Sequence, residues 1–176
     1  MYTLYTSSVH QKLDILHQEV IKDFKKRKLK EQETDEIQPK QNAFMAVTQE
    51  EGTLLYLLAR TAKGKHIVEY GCSFGISTIY LAAAQDNNEN VITSELKPNK
   101  VKAPIDFLFL DGTKEYYLPI FKMLEPQLTS GTIVVADNAD KTNAKPFIDY
   151  MTSLSKKYTS SFLFNGRILV SYTHNY

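Results

Sequence analysis

The stretch Ile67-Val68-Glu69-Tyr70-Gly71-Cys72-Ser73-Phe74-Gly75-Ile76-Ser77-Thr78 decides the fold. His66 to Tyr70 reads as a short strand, the two glycines as a turn, and Ser77 to Gln85 as a helix. Gly71 and Gly75 let the backbone turn tightly and approach a ligand closely. The loop feeds a helix N-terminus, whose free N–H groups favour an anionic group, and Ser77 adds a hydroxyl there. The GxxxG spacing is not the full GxGxxG dinucleotide fingerprint, which weakens a nicotinamide reading.

Downstream, the same alternation repeats. Asn90 to Ser94 is a strand ending in Glu95, which lies 20 residues beyond Gly75. Ile105 to Leu110 is an apolar run ending in Asp111-Gly112, and Pro119 fits the first turn of a helix running to Leu124. Thr132 to Ala136 is another apolar strand, ending in Asp137-Asn138. Pro146 opens a helix to about Lys156. Ser160 to Phe164 and Arg167 to Tyr172 close the chain as strands joined at Asn165-Gly166, a hairpin signal. Strands alternating with helices predict an α/β domain with a mostly parallel sheet, and the final hairpin adds one antiparallel strand.

Upstream, residues 7 to 30 carry Val9, Leu13, Leu16, Val20 and Phe24 on one helical stripe, with Ser8 and Gln11 placed as a capping box. The stripe packs either on the body or on a second subunit. The basic run Lys22 to Lys30 is followed at once by Glu31, Glu33, Asp35 and Glu36, which reads as a solvated charged face. Residues 31 to 42 read as a polar linker punctuated by Pro39. A second helix covers 48 to 62, capped by Thr48 with Glu51 at the capping-box position.

The 176 residues suffice for one domain with a real core. A net charge of +1 gives no global electrostatic reason to expect nucleic acid or a membrane surface as partner. Cys72 is the only cysteine, so no internal disulfide forms and a reducing, cytoplasmic setting fits. The first residues lack the basic and apolar regions of a secretory signal, and no apolar run approaches the roughly 20 residues of a membrane span.

In open α/β sheets ligands bind outside the carboxyl ends of the strands, and the polar residues Glu69, Glu95, Asp111 and Asp137-Asn138 fall at those ends. An acid at Glu95 can accept bonds from both hydroxyls of a ribose. Asp111, Asp137 and Asn138 supply three oxygen ligands of the kind Mg²⁺ prefers. A metal there could bind a diol and activate one hydroxyl, and Lys114, three residues after Asp111, could take the proton.

The ordered set AFMAVTQEEG, IVEYGCSFGIST, VITSEL, IDFLFLDGTKEYYLP and GTIVVADN resembles the catechol O-methyltransferase-like branch of the class I, S-adenosylmethionine-dependent methyltransferases, which includes the caffeoyl-CoA type. The resemblance covers roughly residues 43 to 172. It divides the chain into an N-terminal helix and linker, 1–42, and a Rossmann-like methyltransferase domain, 43–176. It implies that Glu69, the loop residues Gly71, Ser73 and Gly75, and Ser77 hold the methionine end of S-adenosylmethionine. It further implies a backbone contact from Val47, ribose binding by Glu95, a cofactor contact from Asp111, Asp111, Asp137 and Asn138 as ligands of Mg²⁺ or another divalent cation, and Lys114 as general base. The implied reaction is methyl transfer to a hydroxyl of a catechol-like or other small phenolic acceptor.

The sequence departs from this pattern in three places. Only 16 positions separate Glu95 from Asp111, where the family has a further helix and strand of roughly 30–40 residues, about one crossover unit. That missing unit carries the family's adenine contacts. Leu96 to Ala103 reach at most about 26–29 Å when extended, so one crossover is taut. Thr113 stands where an aromatic residue is common, and Phe164 or Asn165 stands near the place of an acid that grips the second hydroxyl of catechols. A non-catalytic binding protein with an impaired cofactor pocket is therefore the second reading, and a nicotinamide oxidoreductase the third. For the N-terminal helix three roles stay open: covering the site, docking on the sheet, or forming a homodimer face.

Overall fold

A computed structural model describes residues 4, 7–34, 46–63, 66–85, 91–94, 101 and 104–174. Its helices are α1 (Ser7–Thr34), α2 (Gln49–Thr61), α3 (Ile76–Ala83), α4 (Tyr117–Leu124) and α5 (Lys145–Ser153). Its strands are β1 (Ile67–Tyr70), β2 (Val91–Ser94), β3 (Ile105–Leu110), β4 (Leu128–Ala136), β5 (Tyr158–Leu163) and β6 (Ile168–Thr173). The six strands form one sheet in the order β2-β1-β3-β4-β6-β5. β2, β1, β3 and β4 are mutually parallel, and β6 runs antiparallel to both β4 and β5. The expected α/β class and the closing antiparallel strand are both present.

Side-chain alternation along the strands divides the core into two layers. Ile105, Leu108 and Leu110 face α4 and α5, where they meet Tyr117, Phe121, Phe147 and Met151. Phe107 and Phe109 face the other way, into a layer with Leu55, Ile76, Tyr80 and Leu81. Both faces are covered, which is why β3 is a nearly unbroken apolar run. Burying a Phe of this kind stabilises the fold by about 1.5–3 kcal/mol.

Several boundaries differ from those expected. α1 continues to Thr34, four residues into the stretch read as linker. Charged pairs run along the helix, Lys22–Glu19 and Lys28–Glu31 at i,i+3 and Arg27–Asp23 at i,i+4; of these Lys28–Glu31 reaches past Lys30, and such pairs support an exposed helix. α1 starts at Ser7, so Ser8 sits inside the first turn rather than capping it. The remainder of the linker, with Pro39, lies outside the described residues.

Leu13 is buried, and Val9, Leu16 and Val20 pack against the layer of α2 and α3. Phe24 does not join them; it is 61% exposed, as are Ile21 and Leu29 to a similar degree. The first half of α1 therefore docks on the body, where the His17 ring nitrogen bonds the Tyr80 hydroxyl at 3.0 Å.

α4 begins at Tyr117, two residues before Pro119, because a 3-10 turn over Lys114–Tyr116 leads into it. The final hairpin pairs Leu163 with Ile168, so its loop has four residues rather than two. Phe164, Asn165 and Gly166 all take positive φ. The crossover from β2 to β3 passes β1, and Val101 within it is buried against the α4 and α5 layer.

Candidate active site

The site is set by strand register. Tyr70 of β1 pairs with Leu110 of β3, and Leu110 with Ala136 of β4. The Asp111 N–H donates to the Tyr70 carbonyl at 2.8 Å and the Asp137 N–H to the Leu110 carbonyl at 2.9 Å. Gly71, Asp111 and Asp137 are thus the first residues beyond three adjacent strands. β1 and β3 are the point where the order of the sheet reverses, and their connections leave toward opposite faces, to α3 and to α4. That divergence opens the crevice in which open α/β sheets bind ligands.

The floor of the crevice is tight. Gly71 has φ +94°, and a Cβ there would collide with the Gly112 backbone. Gly75, at φ +80°, caps α3 and has open space where a side chain would stand. Cys72, Ser73, Phe74 and Gly75 border an open depression of about 450 Å³ that continues along Thr78 and Ile79 of α3. Ser73 also has positive φ, +43°, so the loop turns left-handed at three of five positions from Gly71 to Gly75.

Glu69 is fully buried beneath this loop. The Ser77 and Thr78 hydroxyls each donate to one of its carboxylate oxygens at 2.5 Å. Burial raises the pKa of Glu69, and the two hydroxyl bonds oppose that rise. The carboxyl is thereby fixed in direction.

The Asp137 charge lies close enough to perturb Asp111. Burial first, and then the Asp137 charge, push the Asp111 carboxyl up to about 7, against the opposing pull of Lys114. Lys114 Nζ donates to the Gly112 carbonyl at 2.9 Å and to Asp111 Oδ1 at 3.3 Å. Tyr117 donates its hydroxyl to the Asp137 carbonyl at 3.0 Å, and burial pushes that phenol far up.

Sequence alignment with curated proteins finds relatives along this framework. The chain is 27% identical over 128 residues to a protein named catechol O-methyltransferase from Niastella koreensis, covering 53% of this chain and 58% of that one. It is 34% identical over 87 residues to catechol O-methyltransferase from Bos taurus, covering 48% of this chain and 30% of that one. The matched part thus spans well under two thirds of either relative. No family model matches the chain. Among solved structures, the O-methyltransferase from Bacillus cereus in complex with SAH superposes with a TM-score of 0.64 at 18% identity, covering 98% of both chains. This chain has a Rossmann-like methyltransferase fold. The likeness to catechol O-methyltransferases is therefore present in sequence and the methyltransferase fold in three dimensions.

On this methyltransferase fold, Glu69, Gly71, Ser73, Gly75 and Ser77 gather on the β1–α3 side of the crevice, and Asp111, Lys114, Asp137 and Asn138 on the β3–β4 side. Val47 is buried just ahead of the α2 cap. Glu95 lies outside the described residues. Among the described residues no three His, Cys, Asp or Glu side chains gather as a metal site; the expected set has two carboxylates and a carboxamide. Its donor chemistry fits a hard divalent cation, and the counter-charges now beside it are Lys114 at Asp111 and Arg167 at Asp137.

Two residues of the site carried no role in the sequence reading. Arg167, at the head of β6, donates from Nε to Asp137 Oδ1 at 3.0 Å and from its terminal nitrogen to Oδ2 at 3.2 Å. Its Nε also lies 3.1 Å from Glu51 Oε1. Glu51 was expected as a capping-box residue and is one: Thr48 N–H donates to its other oxygen at 2.8 Å. The available signal was a lone charge between a glycine turn and the apolar run Ile168-Leu169-Val170.

Proposed function

We propose that this protein is an S-adenosylmethionine-dependent O-methyltransferase acting on a hydroxyl of a catechol-like or other small phenolic acceptor. The observation that carries the reading is the alignment of Gly71, Asp111 and Asp137 at three register-matched strand ends, with Glu69 buried beneath the glycine loop, in a chain similar to catechol O-methyltransferases. S-adenosylmethionine supplies a methyl group on a sulfonium sulfur, and the acceptor oxygen displaces that sulfur as the O–C bond forms. The chain's part is alignment and charge placement.

Glu69, held by Ser77 and Thr78, is placed to accept from the amino group of the methionine end. Gly71 and Gly75 would let that end lie against backbone, and the N-terminus of α3 would favour its carboxylate. Asp111, Asp137 and Asn138 would hold a divalent cation, which would orient the acceptor hydroxyl and lower its pKa. Lys114 would receive the hydroxyl proton as general base. The partner class is a small hydroxyl compound; no helix of the described residues is long and apolar enough to cross a membrane.

Calorimetric titration of the full chain with S-adenosylhomocysteine tests the reading. Micromolar binding is the expected result, followed by methyl transfer to catechols or caffeoyl esters. A folded chain that binds no S-adenosylhomocysteine overturns it and favours a methyltransferase-fold binding protein, because the short connection between Glu95 and Asp111 replaces the segment expected to hold adenine.

A further inference from the structure

Asp137 is the hub of the β3–β4 side, and its lone pairs are almost fully used within the chain. Oδ1 accepts from the Asn138 N–H at 2.6 Å, from Asn138 Nδ2 at 3.3 Å and from Arg167 Nε at 3.0 Å. Oδ2 accepts from the second guanidinium nitrogen at 3.2 Å. This is the fork geometry in which Arg binds a carboxylate most firmly. Asp137 is 4% exposed and Glu51 3%, whereas Arg167 is 38% exposed. The guanidinium therefore bridges two buried acids from the solvent side. Its own backbone is fixed as well, since the Ala139 N–H donates to the Arg167 carbonyl at 2.7 Å. The Asn138 carboxamide turns its nitrogen, not its oxygen, toward Asp137.

We infer that Arg167 is an internal counter-cation that closes Asp137 to divalent metal, so that a metal ion loads only by displacing the guanidinium. This rests on the reading of Asp111, Asp137 and Asn138 as cation ligands. The physical basis is competition. A divalent ion on Asp137 needs the oxygens that Arg167 now holds, and a fixed positive charge in contact with the same carboxylate repels it. Glu51 supplies the alternative seat. A guanidinium released from Asp137 keeps a buried carboxylate partner, so displacement does not leave Arg167 without a counter-charge.

The test is Mn²⁺ binding by the full chain, followed by electron paramagnetic resonance, in wild type, Arg167→Met and the double variant Arg167→Met/Asp137→Asn. Arg167→Met is expected to bind Mn²⁺ at least tenfold more tightly than wild type, and the double variant to lose that gain. Unchanged Mn²⁺ affinity in Arg167→Met overturns the inference, as does a gain that survives Asp137→Asn. Should Arg167→Met fail to fold, the wild-type Nε–H resonance of Arg167 gives a second readout. It should shift as Mg²⁺ is titrated in, and Mg²⁺ binding that leaves it unmoved overturns the inference. S-adenosylhomocysteine titration of the same samples separates this failure from that of the methyltransferase reading, since cofactor binding on the β1–α3 side does not require the Arg167 contact.

Discussion

At the scale of single residues, Asp111 is held out of its comfortable charge state. A carboxyl whose folded pKa is raised to about 7 binds a proton more readily in the folded chain than in the unfolded one. The stability this contributes is full below about pH 4, the ordinary carboxylate value, and is lost as pH rises through about 7. Asp111→Asn removes the buried charge while keeping an oxygen for Lys114. It should raise Tm at pH 8 by roughly 2–4 °C, about 1 kcal/mol, and leave Tm at pH 4 nearly unchanged. Melting curves at the two pH values check this; an equal shift at both would show that packing, not charge, is responsible. Asp111 was legible in sequence as a strand-end acid. Its discomfort was not, because that depends first on burial in the assembled sheet and then on Asp137, which lies on the neighbouring strand about 26 residues away in sequence.

At the scale of elements, the start of α2 does two jobs. Thr48 and Glu51 close a reciprocal cap, and the second oxygen of Glu51 pairs with Arg167. Thr48→Ala should cost about 1 kcal/mol, the usual effect of losing a cap. Glu51→Ala should cost more, about 1.5–3 kcal/mol, because a hydrogen bond to a charged group is lost along with the cap. Chemical denaturation of both variants measures the difference, and equal losses would mean that the Arg167 pair contributes nothing to stability. The cap was readable from T-x-x-E alone, since its partners are three residues apart. The Arg167 pair joins positions 51 and 167, and no local pattern announces such a contact. The same contrast explains α1: the i,i+3 pair Lys28–Glu31 carries charge support past Lys30, whereas the packed stripe stops at Val20 and Phe24 is exposed.

For the whole molecule, the sheet order ties site and stability together. β1, β3, β4 and β6 each have a strand on both sides, while β2 and β5 are the edges. Hydrogen exchange should therefore be slowest in β3 and β4, whose side chains are buried in both layers, and faster in β2 and β5. Protection in β2 equal to that in β3 would contradict this ranking. The alternation of strands and helices made the fold class legible, and strand-end acids made most of the crevice legible, because both are local signals. The pairing order and the ring of charges around Asp137 arise only when distant strands meet. One consequence of ending on β2 concerns how the architecture can be extended. The outer rim of that strand has no strand neighbour among the described residues, and the crevice lies one strand inward, beyond β1. A helix-and-strand cassette spliced between Glu95 and Ile105 could add a seventh strand on that rim without shifting the register of β1, β3 and β4, making this chain an acceptor scaffold for grafted binding loops.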